Sequence, residues 1–187
     1  MVVDVQEAFR GRIVGFDAVA RRCGFLIEVA SALDLPVVAC EQNPGKLGPS
    51  AVEVRNALGD RPIVSKLDFD AVQEPAFVSA LDPLRDQVIV AGIEAHVCVQ
   101  QTVLGLRRLG RAVYLVVDAV GSQRSSDAEI AIQRMVGSGA IPVSAESVAF
   151  ELLGSSAHAG FRHLLAPIVA GLAADGVGRA GTWVNPP

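Results

Sequence analysis

The 187-residue sequence has no apolar run approaching the roughly 20 residues that cross a bilayer, and no basic leader followed by an apolar stretch. A membrane partner is not expected, and a cytoplasmic location is. Lysine and arginine nowhere form a block and the formal net charge is -4, so the electrostatic footprint that neutralises a row of phosphates is missing. Nucleic acid is not expected as a ligand. The three cysteines, at 23, 40 and 98, form no C-x-x-C pair, and an odd count this widely spaced builds no disulfide framework. A reducing compartment fits.

Signature loops are lacking too. With no Walker A loop or G-x-S-x-G, and no G-x-G-x-x-G between a predicted strand and helix (the match at 176–181 falls in the Gly-rich tail), dinucleotide, nucleoside triphosphate and serine-hydrolase readings lose their usual support. There is no H-E-x-x-H, and His158 and His163 lie far along the chain from any matching ligand pair. Neither a metal nor a cofactor is expected.

What is present is apolar residues at 51% against 19% charged, enough for one globular domain with a substantial core. Short β-branched runs alternate with segments of helical period, the pattern of a parallel sheet covered by helices on both faces. Strands are predicted at 1–5, 36–40, 62–65, 87–92, 112–118 and 140–145, and helices at 16–33, 51–58, 72–81, 98–109, 127–138, 146–153 and 157–170. The fold class is therefore α/β, a doubly wound three-layer sandwich on a six-stranded parallel sheet of order 3-2-1-4-5-6. Gly110, with Arg107 and Arg108 in the preceding turn, marks the end of the fourth helix. Residues 41–50, rich in Pro and Gly, read as a long loop after the second strand. The domain is expected to span 1–170, and 171–187, rich in Gly, Ala and Pro, to be a flexible tail. The first strand opens at Met1 itself, which raises the expectation that a few residues precede it.

In that strand order the winding reverses between strands 1 and 4, and a crevice opens there at the carboxyl ends. Asp4 ends strand 1 and Cys98 lies just past strand 4, so a carboxylate and a thiol meet at neighbouring strand ends about 5 Å apart. Lys66 ends strand 3, about 10 Å from strand 1, within reach of its long side chain. An ammonium and a helix amino end both favour a thiolate, so the Cys98 pKa is expected to be lowered and Asp4 to act as its base. Blander readings exist for each residue. Cys98 can be a small buried hydrophobe, as Cys23 and Cys40 are read to be, Asp4 a turn cap and Lys66 a solvated strand end. His96 reads as a neutral turn histidine, and helix capping explains Asp118 and Ser122 as well as a site does.

The segments "VVDVQEAF", "SKLDFDA" and "GIEAHVCVQQTVLGLRRLG" together resemble the isochorismatase-like cysteine hydrolases, over nearly all of residues 1–170. "ACEQNPGKLGPS", "VVDAVGSQRSSD" and "SAESVAFELLGSSAHAGFRHL" are most similar to the isochorismatase-domain-containing branch. The resemblance implies a triad of Asp4, Lys66 and Cys98, and a cis peptide between Ile93 and Glu94. It also implies an oxyanion hole from the backbone N–H groups of Glu94 and Cys98, and self-association into a homo-oligomer. Phe9, Gln42, Asn43, Phe69, His96 and Val97 are expected to line the pocket of a small-molecule substrate.

Two departures shape the expected chemistry. Where nicotinamidases of this superfamily carry an Asp-x-His metal motif, this chain reads Glu41, Gln42, Asn43. True isochorismatases generally lack the cysteine that is present here as Cys98. The expected function is metal-independent hydrolysis of a small amide or related C–N bond through a Cys98 acyl-enzyme. The alternatives are a catalytically idle binding or scaffold protein on the same fold, and a vinyl-ether hydrolase of isochorismatase type.

Overall fold

Alternation of side chains along each strand builds two separate cores, one on each face of a single sheet. Val2, Ala39, Ala91 and Ile93 point to one face, and Val3, Cys40, Val90, Val113 and Leu115 to the other. The computed structural model describes residues 1–162 and 164. Its strands are β1 (Val2–Val3), β2 (Ala39–Gln42), β3 (Ile63–Lys66), β4 (Gln87–Ile93), β5 (Ala112–Gly121) and β6 (Ile141–Val143). They pair in parallel in the order β3-β2-β1-β4-β5-β6, the doubly wound arrangement read from the sequence.

The first face is covered by α1 (Phe16–Ala32), α3 (Val52–Leu58) and α7 (Ala145–Leu153). Along α1 the buried residues Phe16, Val19, Ala20, Cys23 and Ile27 recur at the helical period, a stripe that lies on the sheet. The second face is covered by α4 (Pro75–Ala80), α5 (Gln100–Arg108) and α6 (Ser125–Gly137), through Phe77, Val103, Leu106 and Met135. Helix α5 ends as the sequence indicates. Gly110 takes φ +79°, its N–H donates to the Arg107 carbonyl at 3.0 Å, and that of Arg111 to the Leu106 carbonyl at 3.1 Å.

Several boundaries differ, each for a local reason. Strand β1 holds two residues rather than five, because Asp4 turns to φ +52° and leaves the ladder. Strand β5 runs to Gly121 rather than 118, with a register shift opposite Val90–Gly92. Strand β6 stops at Val143, since Ser144 caps α7 in a reciprocal box with Ser147. The predicted loop 41–50 contains the end of β2 at Glu41–Gln42 and then one turn of helix, α2 (Pro44–Leu47), opened by proline at its first position. The helix expected from 98 begins in regular form only at Gln100, after a wide π-type turn over Ala95–Val99. Of the helix expected over 157–170, residues 161, 162 and 164 are helical, while 165–170, His163 and the tail 171–187 lie outside the described residues.

Candidate active site

The carboxyl ends of β1, β2, β3 and β4 bring their side chains into one buried cluster. Strand β4 approaches β1 so closely that only glycine fits at the crossing. A Cβ on Gly92, at φ +132°, would stand 2.1 Å from the Val3 carbonyl oxygen. Directly after Ile93 the peptide to Glu94 is cis, and the chain enters the π-type turn that carries Cys98.

Asp4 is 1% exposed and Lys66 2%, so neither blander reading, turn cap or solvated strand end, describes them. The Lys66 ammonium crosses β2 to donate to Asp4 Oδ2 at 2.7 Å. It donates also to Gln42 Oε1 at 2.7 Å and to the Asp68 carbonyl at 3.2 Å. Lysine has three donors, and all three are engaged. The other Asp4 oxygen, Oδ1, accepts from the Cys40 thiol at 3.2 Å. Cys98, 6% exposed, interacts with the Asp4 and Lys66 side chains, and its sulfur lies 4.0 Å from Gln42 Oε1.

Burial governs the proton affinities here. It raises the Asp4 carboxyl, a shift that the Lys66 charge and hydrogen bonds only partly offset. Burial alone would lower Lys66, but the Asp4 carboxylate, then Cys40 and Cys98, outweigh it and hold the ammonium charged. The Cys98 thiol is pushed up to about 12 by burial and then by the Asp4 charge, against the opposing pull of Lys66. The expectation of a lowered Cys98 value is overturned: it weighs the helix and the ammonium, but not the cost of placing a thiolate in a dry site. Cys40 is raised well above its ordinary value by burial and then Asp4, which leaves it a neutral donor.

The remaining expected residues divide. Gln42 is in the cluster. His96 is on its rim, its Nδ1 2.9 Å from the Oγ of the buried Ser122. The Glu94 carboxylate accepts from the backbone N–H of Gln123 at 3.2 Å, so Glu94 and His96 both tie the Cys98 turn to the segment after β5. Val97 packs, half-buried, against the core that holds Cys98. Asn43 starts α2 at φ +40° and donates its N–H to the Lys66 carbonyl at 2.8 Å. Phe69 is 51% exposed in the segment after Lys66. Phe9, half-buried, packs against the core under α1 and α3, the cluster that does not contain Cys98. Asp118 is structural, accepting from the Ala145 N–H at 2.8 Å and pairing with Arg22 at 3.3 Å.

The isochorismatase domain family matches residues 1–147. Isochorismatase domain-containing protein 2 of Pongo abelii is 37% identical over 163 residues, which are 86% of this chain and 78% of that protein. The chain belongs to the isochorismatase family. Among solved structures, the MAR1 ribonuclease from Caenorhabditis elegans is similar with a TM-score of 0.85 at 32% identity, covering 100% of this chain and 93% of that one. The YcaC gene product of Escherichia coli, an octameric hydrolase of unknown specificity, has the same fold, with a TM-score of 0.83 at 24% identity over 93% of this chain and 87% of that one.

Within this isochorismatase-family chain, sequence reasoning passes over the residues that support the cluster. Cys40 reads there as apolar filler, although the parallel register Val3↔Cys40 places it beside Asp4. Gln6 is fully buried and bonds both backbone groups of Gln42, at 2.9 and 3.0 Å, and the Gly48 carbonyl at 2.8 Å. Glu41 accepts from Ser50 twice, at 2.6 and 2.7 Å, which closes the 43–50 segment. Asp70, capping the turn after Lys66, pairs with Arg108 at 2.9 Å and anchors that turn to α5. Among the described residues no group of three or more His, Cys, Asp or Glu could hold a metal ion, and no helix is long and apolar enough to cross a membrane.

Proposed function

We propose that this member of the isochorismatase-like hydrolase superfamily hydrolyses a small amide or related C–N bond through an acyl-enzyme on Cys98. The observation that carries the reading is the fully enclosed Lys66–Asp4 pair, 2.7 Å apart, acting on the Cys98 thiol. A charged pair this dry is costly to keep, and a carboxyl raised by burial has the higher proton affinity that a base for a thiol needs.

In the forward half, Cys98 Sγ attacks the amide carbonyl carbon while its proton passes to Asp4. A thiol near 12 does not ionise beforehand, so proton transfer accompanies C–S bond formation. The carbonyl π pair moves to oxygen, which the backbone N–H groups of Glu94 and Cys98 receive. Collapse breaks the C–N bond, and Asp4 returns the proton to the departing nitrogen. Water then attacks the thioester and gives its proton to Asp4, the C–S bond breaks, and the sulfur regains that proton as the acid leaves. Lys66, with all three donors engaged, holds the Asp4 carboxylate in place rather than touching substrate.

The substrate is a small molecule, no metal takes part, and the chain assembles with copies of itself, as the octameric Escherichia coli neighbour does. Three free cysteines, at 23, 40 and 98, fit a reducing compartment. The ribonuclease activity named for the nematode neighbour is not carried over, since a net charge of -4 lacks the required basic footprint. A second reading, an idle binding protein on the same fold, draws support from the thiol itself, which keeps its proton at neutral pH. Incubation with a library of small amides and vinyl ethers, with intact-mass detection of Cys98 adducts, separates the readings. An acyl adduct that turns over supports hydrolysis, and a silent cysteine with every amide supports the idle protein.

A further inference from the structure

Gln42 is held more firmly than a pocket wall requires. Its backbone N–H and carbonyl are both bonded by the buried Gln6. Its side-chain Nε2 donates to the Leu67 carbonyl at 2.7 Å while its Oε1 accepts from Lys66 Nζ at 2.7 Å. Those two partners fix the amide one way round, because the reverse would set an NH₂ against an ammonium and an oxygen against a carbonyl. The same Oε1 stands 4.0 Å from the Cys98 sulfur. A neutral acceptor thus sits between the ammonium and the thiol and occupies one of the three ammonium donors, the others being taken by Asp4 and Asp68.

We propose that Gln42 is a positioning residue that draws one Lys66 donor away from Cys98, and so decides how readily the sulfur gives up its proton. With the amide oxygen in place one ammonium donor is spent on Gln42, Lys66 offsets the rise of the thiol only in part, and the thiol holds its proton until a carbonyl arrives. Without it, the freed donor strengthens the pull that Lys66 already exerts on the sulfur and stabilises thiolate. Other charged groups around the turn are engaged elsewhere. Glu94 is bonded by Gln123 and His96 by Ser122, Arg124 just ahead of α6 pairs with Asp127, and Asp70 pairs with Arg108 on α5. Among the described residues, Asp4 and Lys66 are the charges that act most strongly on the thiol.

Iodoacetamide alkylation of the full chain, followed peptide by peptide from pH 7 to 9.5, tests the proposal. It reads the thiol without substrate, so its failure and the failure of the proposed hydrolysis are separate results. Gln42→Met keeps length and removes both polar atoms, and its Cys98 is expected to react about tenfold faster at pH 8. Gln42→Glu keeps the acceptor and adds negative charge beside the sulfur, and is expected to slow the reaction about threefold or more. Opposite signs are what loosened packing cannot produce. Wild-type rates in both variants, changes of the same sign, or new labelling of Cys23 or Cys40 alongside Cys98 would overturn the proposal. If Gln42→Met fails to fold, Gln42→Glu decides alone: slower alkylation supports the assignment, and an equal or faster rate refutes it.

Discussion

In a chain that starts at Met1 the two ends of the sheet each bury an ammonium, and they treat it in opposite ways. At the amino end the α-ammonium of Met1 donates to the Ile89 carbonyl at 2.8 Å beside a crevice of about 600 Å³. Leu26, Ile27, Val37, Val38 and Ile89 contribute aliphatic surface to that crevice. With no carboxylate against it, burial pulls this ammonium down to about 6. At the carboxyl end the Lys66 ammonium faces Asp4 at 2.7 Å and its proton affinity is raised. Desolvation acts on both, and the partner decides the sign. Open volume is therefore a poor guide here, since Asp82, Arg85, Asp86 and Arg111 at the roomy end pair with one another near the surface, while at the crowded end Asp4 and Lys66 are buried beside a thiol.

Variants can break that contrast. The largest effect is expected from Cys98→Ala, which should lower turnover of any amide substrate at least about a thousandfold while leaving the melting transition in place. A retained rate in steady-state assay would return the chemistry to some other group. Next, Lys66→Met leaves the Asp4 carboxyl without its ion-pair partner, and urea unfolding is expected to show a loss of about 3–5 kcal/mol. A loss under about 1 kcal/mol would mean that the pair is far wetter than 0% and 2% side-chain exposure implies.

At the other end the effects are smaller and confined to stability. The chain beginning at Met1 should lose stability as pH falls from about 8 to 6, because its ammonium is at about 6 when folded and 8.0 when free, so the unfolded state takes up the proton first. The full change is about 2–3 kcal/mol across that window. Urea titrations at several pH values check it, with an N-acetylated chain showing the slope removed. Leu26→Ala, beside the crevice, should cost about 2 kcal/mol, the low end for such truncations, and leave turnover within twofold. A turnover loss as large as that from Cys98→Ala would place chemistry at the roomy end.

Much of the architecture was legible because the apolar runs are short, β-branched and separated by helix-length segments, which constrains strand order. Boundaries were less legible where one residue's backbone decided them. Nothing in "VVDVQ" signals that Asp4 leaves β1 after two residues, and nothing in "VVDAVG" signals that β5 continues to Gly121. Asp4, Lys66 and Cys98 could be named because each falls at a carboxyl strand end. Cys40 could not, since a thiol in an apolar strand looks like filler until the register sets it beside Asp4. The direction of the Cys98 pKa change was missed for a related reason: charges can be read from a sequence, but the dryness of their surroundings comes only from packing.

The brevity of β1 has a practical side. Because Met1 bonds Ile89 and Val2 bonds Val38 in the middle of the sheet, a purification handle fused ahead of Met1 starts indoors, not in water. Its first residues start beside the crevice that Met1 lines with Leu26, Ile27 and Ile89, so an extended aliphatic spacer would suit that junction better than a highly charged one.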